Sequence, residues 1–187
     1  PAASVILIGH SFGGAIALHM ARTRPELFKA VLVFEPVAFH LFKTTEPALY
    51  QQVQQLSQQM LSINPKEAAA LFIDYWQGDG YFRHLPAVMQ QKLTTQVGKV
   101  AADFEALSGE PATLADYATA IHCPVLLLSG EQSQLSAQRL ATMLAGALHC
   151  VEFQIVKTGH MGPVTDAELV NSVLLEFIQR LAIANLG

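Results

Sequence analysis

Apolar residues along this chain form short continuous runs near both ends and recur at helical spacing in the middle. Four runs have the length of a β-strand, near 4–8, 30–34, 124–129 and 151–156. Helical patterns separate these runs, and a rhythm of strand, helix and strand predicts parallel pairing through right-handed crossovers. We therefore predict an α/β fold in which a parallel sheet carries flanking helices.

The helices predicted within this rhythm cover residues 13–22, 134–146 and 166–182. The first of them ends at Arg24-Pro25, because a residue that precedes proline disfavours the helical conformation. Turn signals also close the second strand at Glu35-Pro36. These two proline-containing turns define the ends of the first helix and the second strand.

Residues 37–118 break the strand and helix rhythm. Gln-rich and Ala-rich stretches with helical patterns are separated there by Asn64-Pro65 and by two glycine-containing turns. Apolar residues recur at helical spacing among the glutamines, which predicts an ordered amphipathic helix. We predict a helical insertion at 37–118, flanked by two parts of one sheet domain at 1–36 and 119–187.

Composition restricts the classes of partner. The net charge is −4 and the eleven Lys and Arg residues form no run or stripe, so no nucleic-acid partner is expected. No apolar stretch approaches the roughly 18 residues of a membrane span, so no membrane partner is expected. Cys123 and Cys150 lack metal-ligand spacing and fit two small, at least half-buried residues in a reducing compartment, which favours the cytoplasm.

The segment from Val5 to Gly14 joins an apolar strand run to Gly-x-Ser-x-Gly and then to an alanine-rich helix. Strand, sharp turn and helix is the context of a nucleophile elbow, which predicts Ser11 as a nucleophile at the carboxyl end of the sheet. We expect Gly9 and Gly13 to avoid clashes that a Cβ would cause in such a tight turn. The following helix N-terminus would favour a developing anion.

A serine hydroxyl needs a base, and seven histidines compete for that role. His160 follows a strand, sits between Gly159 and Gly162, and precedes a helix, which places it at the sheet edge that also holds Ser11. His10 lies within the elbow, and its side chain is expected to point away from that of Ser11. We therefore predict His160 as the general base.

The chain resembles the α/β-hydrolase superfamily. The matching residues are Gly9-His10-Ser11-Phe12-Gly13-Gly14, Arg24-Pro25-Glu26, Cys123-Pro124-Val125-Leu126-Leu127-Leu128-Ser129-Gly130 and Gly159-His160-Met161. The resemblance implies the C-terminal part of that fold, with the insertion as a helical cap over the active site. The strands that normally precede the elbow, and the early loop that supplies one oxyanion-hole amide, do not precede Ser11 in this sequence.

The resemblance leaves two candidates for the acid that partners His160. The usual position after the family's seventh strand falls here in Gly130-Glu131-Gln132-Ser133, where Ser133 replaces the expected aspartate. Some members take the acid from the end of the sixth strand, a place that Glu35 fills. A carboxylate at the end of an apolar strand needs a partner, so we favour Glu35 and keep Glu131 as the alternative.

The predicted chemistry is attack by Ser11 on a small, largely apolar ester or related acyl substrate, without metal or organic cofactor. The Phe12 N–H would supply one oxyanion donor. Aromatic residues of the insertion are candidates for a pocket or for simple packing: Phe39, Phe42, Phe72, Tyr75, Trp76, Tyr81 and Phe82.

Other functions stay open at this point. The same scaffold supports C–C bond hydrolysis, lyase chemistry or haloperoxidase chemistry, and an inactive remnant could serve as a binding module. If the chain starts at Pro1, the strand order that the resemblance implies makes Val5-Ile6-Leu7-Ile8 an uncovered apolar edge. That edge predicts self-association, or pairing with an N-terminal segment of a longer polypeptide.

Overall fold

The structure is a computed structural model, and it describes residues 5–184. The chain divides into two compact units. The first contains the chain up to Val37 together with the chain from Thr113 onward, and the second is Ala38–Ala112. The later boundary therefore falls before the one that the sequence predicted after residue 118.

The first unit contains a sheet of four parallel strands in the order β1-β2-β3-β4. The strands are β1 (Val5–His10), β2 (Phe28–Phe34), β3 (Val125–Gly130) and β4 (Val151–Val156). The predicted α/β class and the four strand positions are thus confirmed, with β2 beginning two residues before the apolar run at 30–34.

The central strands are buried on both faces, as expected for a parallel sheet covered by helices. Every residue of β3 is buried, and Lys29 is the only residue of β2 that is not. The outer strands are more exposed, and β1 pairs only with β2 among residues 5–184. Apolar β-branched and leucine side chains in β2 and β3 explain this central position, because both of their faces pack against other apolar groups.

Five helices of at least four residues accompany the sheet in the described part of the first unit. They are α1 (Phe12–Thr23), α7 (Leu114–Ala120), α8 (Leu135–Ala147), α9 (Gly162–Thr165) and α10 (Ala167–Ala184). On one face, Val170 and Phe177 of α10 pack with Leu32, Leu126 and Leu128. Helix α1 contacts β1 and β2, and α8 contacts β3 and β4.

The second unit is helical throughout its regular elements. Its helices are α2 (Phe42–Thr45), α3 (Pro47–Ser62), α4 (Pro65–Gln77), α5 (Tyr81–His84) and α6 (Ala87–Gly109). Asn64 caps α4 by accepting hydrogen bonds from the N–H groups of Lys66 and Glu67. Val53, Leu56 and Met60 are the buried residues of α3, so the glutamines lie on an ordered amphipathic helix, as the spacing predicted.

Two expectations about local structure need correction. The sequence pattern missed the four-residue helices α2, α5 and α9, because one helical turn is too short to show a periodicity. Cys150 is exposed, whereas a semi-buried position was expected, and only Cys123 is half-buried. Burial raises the pKa of the Cys123 thiol, which keeps it protonated at neutral pH.

Candidate active site

Ser11 occupies a strained turn between β1 and α1. Its backbone has φ 55° and ψ −123°, and Glu35 is the other residue with a side chain that has a positive φ in the described part of the chain. Main-chain bonds hold the turn on both sides, from Ser11 N–H to Phe34 O at 3.0 Å and from Ala15 N–H to Ser11 O at 3.0 Å. This conformation presents the serine side chain at the carboxyl end of β1, as a nucleophile elbow does.

Glycines around the turn have unequal roles. A Cβ at Gly9 would lie 2.5 Å from the backbone oxygen of Gly13, and a Cβ at Gly14 would lie 3.0 Å from the Cα of Pro36. A Cβ at Gly13 would meet nothing within 4 Å, so the expected clash at Gly13 is wrong. The closest approach is between the strand backbone at Gly9 and the first turn of α1, which leaves no room for a side chain at Gly9 and little room at Gly14.

The His160 ring lies between Ser11 and Glu35. Ser11 Oγ is 3.0 Å from His160 Nε2, and Glu35 Oε2 is 2.7 Å from His160 Nδ1. His160 and Glu35 are each 1% exposed. A carboxylate only accepts, so Nδ1 carries the proton that it receives, and the neutral ring then offers Nε2 as the acceptor for the serine hydroxyl. The structure therefore brings the three predicted residues together.

Glu35 follows β2 directly and has φ 42°. Its Oε1 accepts hydrogen bonds from Gly130 N–H at 2.7 Å and from Ser129 Oγ at 2.9 Å, while Oε2 faces His160. A buried carboxylate is stable only when its oxygens are satisfied, and here each oxygen has at least one donor. These contacts fix the carboxylate plane relative to the imidazole.

The alternative acid lies elsewhere. Glu131 is exposed, and its main-chain N–H donates to Val156 O at 2.8 Å. Ser133, at the position where an aspartate was expected from the resemblance, has a buried Oγ without a hydrogen-bond partner among residues 5–184. The structure therefore brings Glu35, and not Glu131, to His160.

Contacts around Thr158 brace the loop that carries His160. Thr158 is 2% exposed, and its hydroxyl donates to Asp166 Oδ2 at 2.5 Å. The Gln132 N–H donates to Thr158 O at 3.0 Å, and a Cβ at Gly162 would collide with the Thr158 side chain. Hydrogen bonds from Thr158 and Thr165 lower the pKa of Asp166, so this brace is anionic at neutral pH.

His10 contributes a contact that sequence reasoning missed. Its Nε2–H donates to the main-chain oxygen of His160 at 2.7 Å, and the centroids of the two rings are 4.8 Å apart. Burial and the neighbouring His160 lower the pKa of His10 from 6.5 to about 4. The sequence predicts only that the His10 side chain points away from that of Ser11. It contains no signal that this side chain contacts a loop 150 residues later in the chain.

Phe12, the predicted oxyanion donor, is the first residue of α1 and directly follows Ser11. A main-chain N–H at this position belongs to the first turn, where the helix dipole favours negative charge. No acidic residue lies in the first turn of α1. The local field beside Ser11 therefore suits a developing oxyanion.

The seven aromatic candidates of the insertion are divided between burial and exposure. Phe39, Phe42, Trp76 and Phe82 are buried, whereas Tyr81 is 40% exposed. The rings pack within the helical unit: Phe39 stacks on Phe42 at 5.8 Å, and Phe72 meets Trp76 edge-on at 6.4 Å, as Tyr75 does at 4.8 Å. Packing within the insertion accounts for these contacts, and a role in substrate binding stays a prediction.

The described residues contain neither a candidate metal site nor a candidate membrane span. No cluster of three or more His, Cys, Asp or Glu side chains within residues 5–184 has the arrangement of a metal site. No helix in that range combines the length and the apolar character needed to cross a bilayer.

The chain is similar in sequence and in fold to several known proteins. The chain is 23% identical over 177 residues to a poly(3-hydroxyalkanoate) depolymerase of Ectopseudomonas oleovorans, a match that covers 94% of this chain and 61% of the depolymerase. The fold is similar to that of a thermophilic esterase from Thermogutta terrifontis, with a TM-score of 0.70 and 20% identity over 96% of this chain and 66% of the esterase.

An esterase from Exiguobacterium antarcticum is similar as well, with a TM-score of 0.71 and 16% identity over 95% of this chain and 67% of that protein. The chain thus spans about three fifths of the depolymerase. The family model for the alpha/beta hydrolase fold matches residues 1–167. On this match, together with the parallel sheet and the elbow at Ser11, the chain belongs to the α/β-hydrolase family.

Proposed function

We propose that this chain carries the nucleophile, base and acid of a serine hydrolase that acts on small, largely apolar esters or related acyl compounds. The observation that supports the proposal most directly is the line of contacts from Ser11 Oγ through the His160 ring to Glu35. Hydroxyl, imidazole and carboxylate in this order form the arrangement that activates a serine for acyl transfer.

In the proposed acylation step, Ser11 Oγ bonds to the substrate carbonyl carbon and its proton passes to His160 Nε2. The carbonyl π electrons move to the oxygen, which becomes the oxyanion. Glu35 stabilises the imidazolium and holds the ring orientation. When the oxyanion collapses, the bond from carbon to the leaving oxygen breaks, and His160 returns the proton to the departing alcohol.

Deacylation repeats these steps with water. A water oxygen bonds to the acyl carbon while His160 Nε2 takes its proton, and the ester bond to Ser11 then breaks. The proton returns to Ser11 Oγ and the carboxylic acid leaves. The Phe12 N–H would stabilise both oxyanions, and such a donor typically contributes about 3–4 kcal/mol to the transition state.

The preference for an apolar acyl substrate remains a proposal about the whole protein. It is supported by the depolymerase and esterases that the chain resembles, and by the aromatic content of the helical insertion.

A fluorophosphonate probe on the complete polypeptide tests the proposal. We expect labelling at Ser11 alone, and hydrolysis of p-nitrophenyl acetate that Ser11→Ala abolishes. Ser172→Ala, at an exposed serine of α10, is the matched control and should keep both labelling and turnover. Labelling at another serine, or full turnover by Ser11→Ala, would contradict the proposal. Activity on C–C bonds or halide oxidation in place of ester hydrolysis would support the alternative chemistries instead.

A further inference from the structure

The contact between His10 and His160 is partly buried and has no role in the acyl-transfer steps described for Ser11, His160 and Glu35. We infer that His10 is a positioning residue whose neutral Nε2–H holds the main chain of His160 in register with Ser11 while the His160 ring gains and loses its proton. The inference rests on the proposed function, since it concerns the same reaction. It adds a fourth residue to the machinery beyond Ser11, His160 and Glu35.

The need for such a contact follows from how the three residues are supported. Ser11 and Glu35 directly follow neighbouring parallel strands, and their N–H groups continue the sheet ladder to Phe34 O at 3.0 Å and Leu128 O at 2.9 Å. His160 instead lies on the loop between β4 and α9, outside the ladder. Its position relative to Ser11 depends on contacts made by the loop itself.

The main-chain carbonyls of Gly159 and Met161, next to His160, accept hydrogen bonds from the loop and α9, and Gln132 N–H links Thr158 O to the turn after β3. Gly162 N–H donates to Gly159 O at 2.9 Å, and the N–H groups of Val164 and Thr165 donate to Met161 O. The His160 carbonyl is different, because it accepts its hydrogen bond from His10 at the end of β1. This bond ties the loop to the strand that carries the nucleophile, one residue away from Ser11.

The charge of His10 also fits this role. A cationic side chain could donate the same hydrogen bond, but it would oppose the positive charge that forms on His160 with ring centroids only 4.8 Å apart. Burial keeps the pKa of His10 far below neutrality, so it donates as a neutral group. Phe34 packs its ring against His10 at 5.8 Å and limits the movement of the imidazole.

Simple packing is the competing explanation, and substitutions separate the two. His10→Met fills a similar volume without a donor, whereas His10→Gln places an amide N–H at about the position of Nε2. Should His10→Met fail to fold, His10→Asn offers a shorter donor that cannot reach the His160 carbonyl. His19→Met, at the exposed histidine of α1, is the matched control.

We expect His10→Met to lower kcat for p-nitrophenyl acetate about 10- to 100-fold with KM changed less than about threefold, because small displacements of a catalytic group have effects of this size. His10→Gln should recover at least about tenfold of that loss. Equal kcat in His10→Met and wild type, or equal losses in His10→Met and His10→Gln, would overturn the inference.

Proton NMR of the Nδ1–H that His160 donates to Glu35 provides a readout that does not require turnover. Exchange of this proton with water should be faster in His10→Met than in wild type, and His10→Gln should restore slow exchange. If wild type neither turns over nor reacts with the fluorophosphonate, the proposed function fails while the exchange rates still test the positioning role. If wild type is active and its exchange rate is unchanged in His10→Met, only the positioning role is overturned.

Discussion

The Ser129 hydroxyl donates a hydrogen bond to Glu35 Oε1 at 2.9 Å, and both side chains are almost fully buried. The bond joins β3 to the residue that follows β2, immediately beside the bond from Gly130 N–H to the same oxygen. Glu35 therefore reaches His160 with a carboxylate whose far oxygen is already satisfied. Ser129 acts on the base only through Glu35.

Ser129→Ala should weaken catalysis without removing it. A hydrogen bond to a charged acceptor contributes about 1.5–3 kcal/mol, so we expect kcat to fall about 10- to 100-fold and the free energy of unfolding to fall by about 1–2 kcal/mol. Steady-state kinetics and urea unfolding measure the two effects. Ser172→Ala is the control at an exposed serine, and an unchanged kcat in Ser129→Ala would show that Gly130 alone orients the carboxylate.

Glu35→Gln should have a much larger effect on kcat than Glu131→Gln. The amide keeps the shape of Glu35 but removes the charge that stabilises the imidazolium, so we expect a loss of about 10²- to 10⁴-fold in kcat. Glu131 is exposed, and its substitution should change kcat less than about tenfold. A large loss of kcat in Glu131→Gln together with a small loss in Glu35→Gln would show that Glu131 is the acid.

Gly9→Ala and Gly13→Ala form a matched pair at the elbow. The first places a Cβ 2.5 Å from the Gly13 backbone oxygen, and we expect it to destabilise the fold by about 1–3 kcal/mol. The second adds a Cβ in open space within α1, where alanine should stabilise the helix by about 0.5–1 kcal/mol. Thermal and urea unfolding of both variants measure the difference, and an equal loss of stability would contradict the steric account.

The free energy of unfolding should decrease as the pH is lowered from 6.5 to 4. Burial and His160 lower the pKa of His10 from 6.5 to about 4, so in this window the unfolded chain binds a proton there that the folded chain does not. The contribution of neutral His10 is fully present above 6.5 and is lost as pH falls toward 4, by about 3 kcal/mol at most. Urea unfolding at pH 7 and 4.5 should therefore show a smaller pH effect in His10→Gln than in wild type.

The open edge of β1 predicts association of the isolated chain. Val5 and Ile8 are 48% and 58% exposed on a strand that pairs only with β2 among residues 5–184. Apolar edges of this kind pair with other strands. Light scattering of the 187-residue chain should show oligomers that Ile8→Lys reduces, whereas Ile183→Lys on α10 should not. A stable monomer at high concentration would contradict the prediction.

Much of this arrangement could be predicted from the sequence because strong local signals coincide with it. The apolar runs specified β2 and β3, and the glycine and serine pattern after β1 specified the elbow. Parallel strands end at one edge of the sheet, so Ser11 and Glu35 were expected near each other before any distance was known. The edge position of β1 followed from the family resemblance rather than from the pattern.

The parts that escaped prediction depend on long-range packing. No local pattern predicts that the His10 side chain meets the His160 backbone, because that contact depends on the path of the β4–α9 loop. The steric difference between Gly9 and Gly13 depends on how closely α1 approaches β1, which composition does not encode. Ser129 stands out in the sequence only as part of a strand motif, since nothing local distinguishes a serine that faces a carboxylate.

The strand pairing has a consequence for how the protein tolerates changes in chain length. His10 pairs with Phe34 and Phe34 with Leu128, so Ser11, Glu35 and Ser129 follow one another across the sheet at the same level. Hydrogen-bonded register, and not the length of any connecting segment, sets their spacing. The segment Ala38–Ala112 between β2 and β3 can therefore be lengthened, shortened or exchanged with only a small entropic penalty, while a single residue inserted within β1 or β2 would shift these three residues relative to one another.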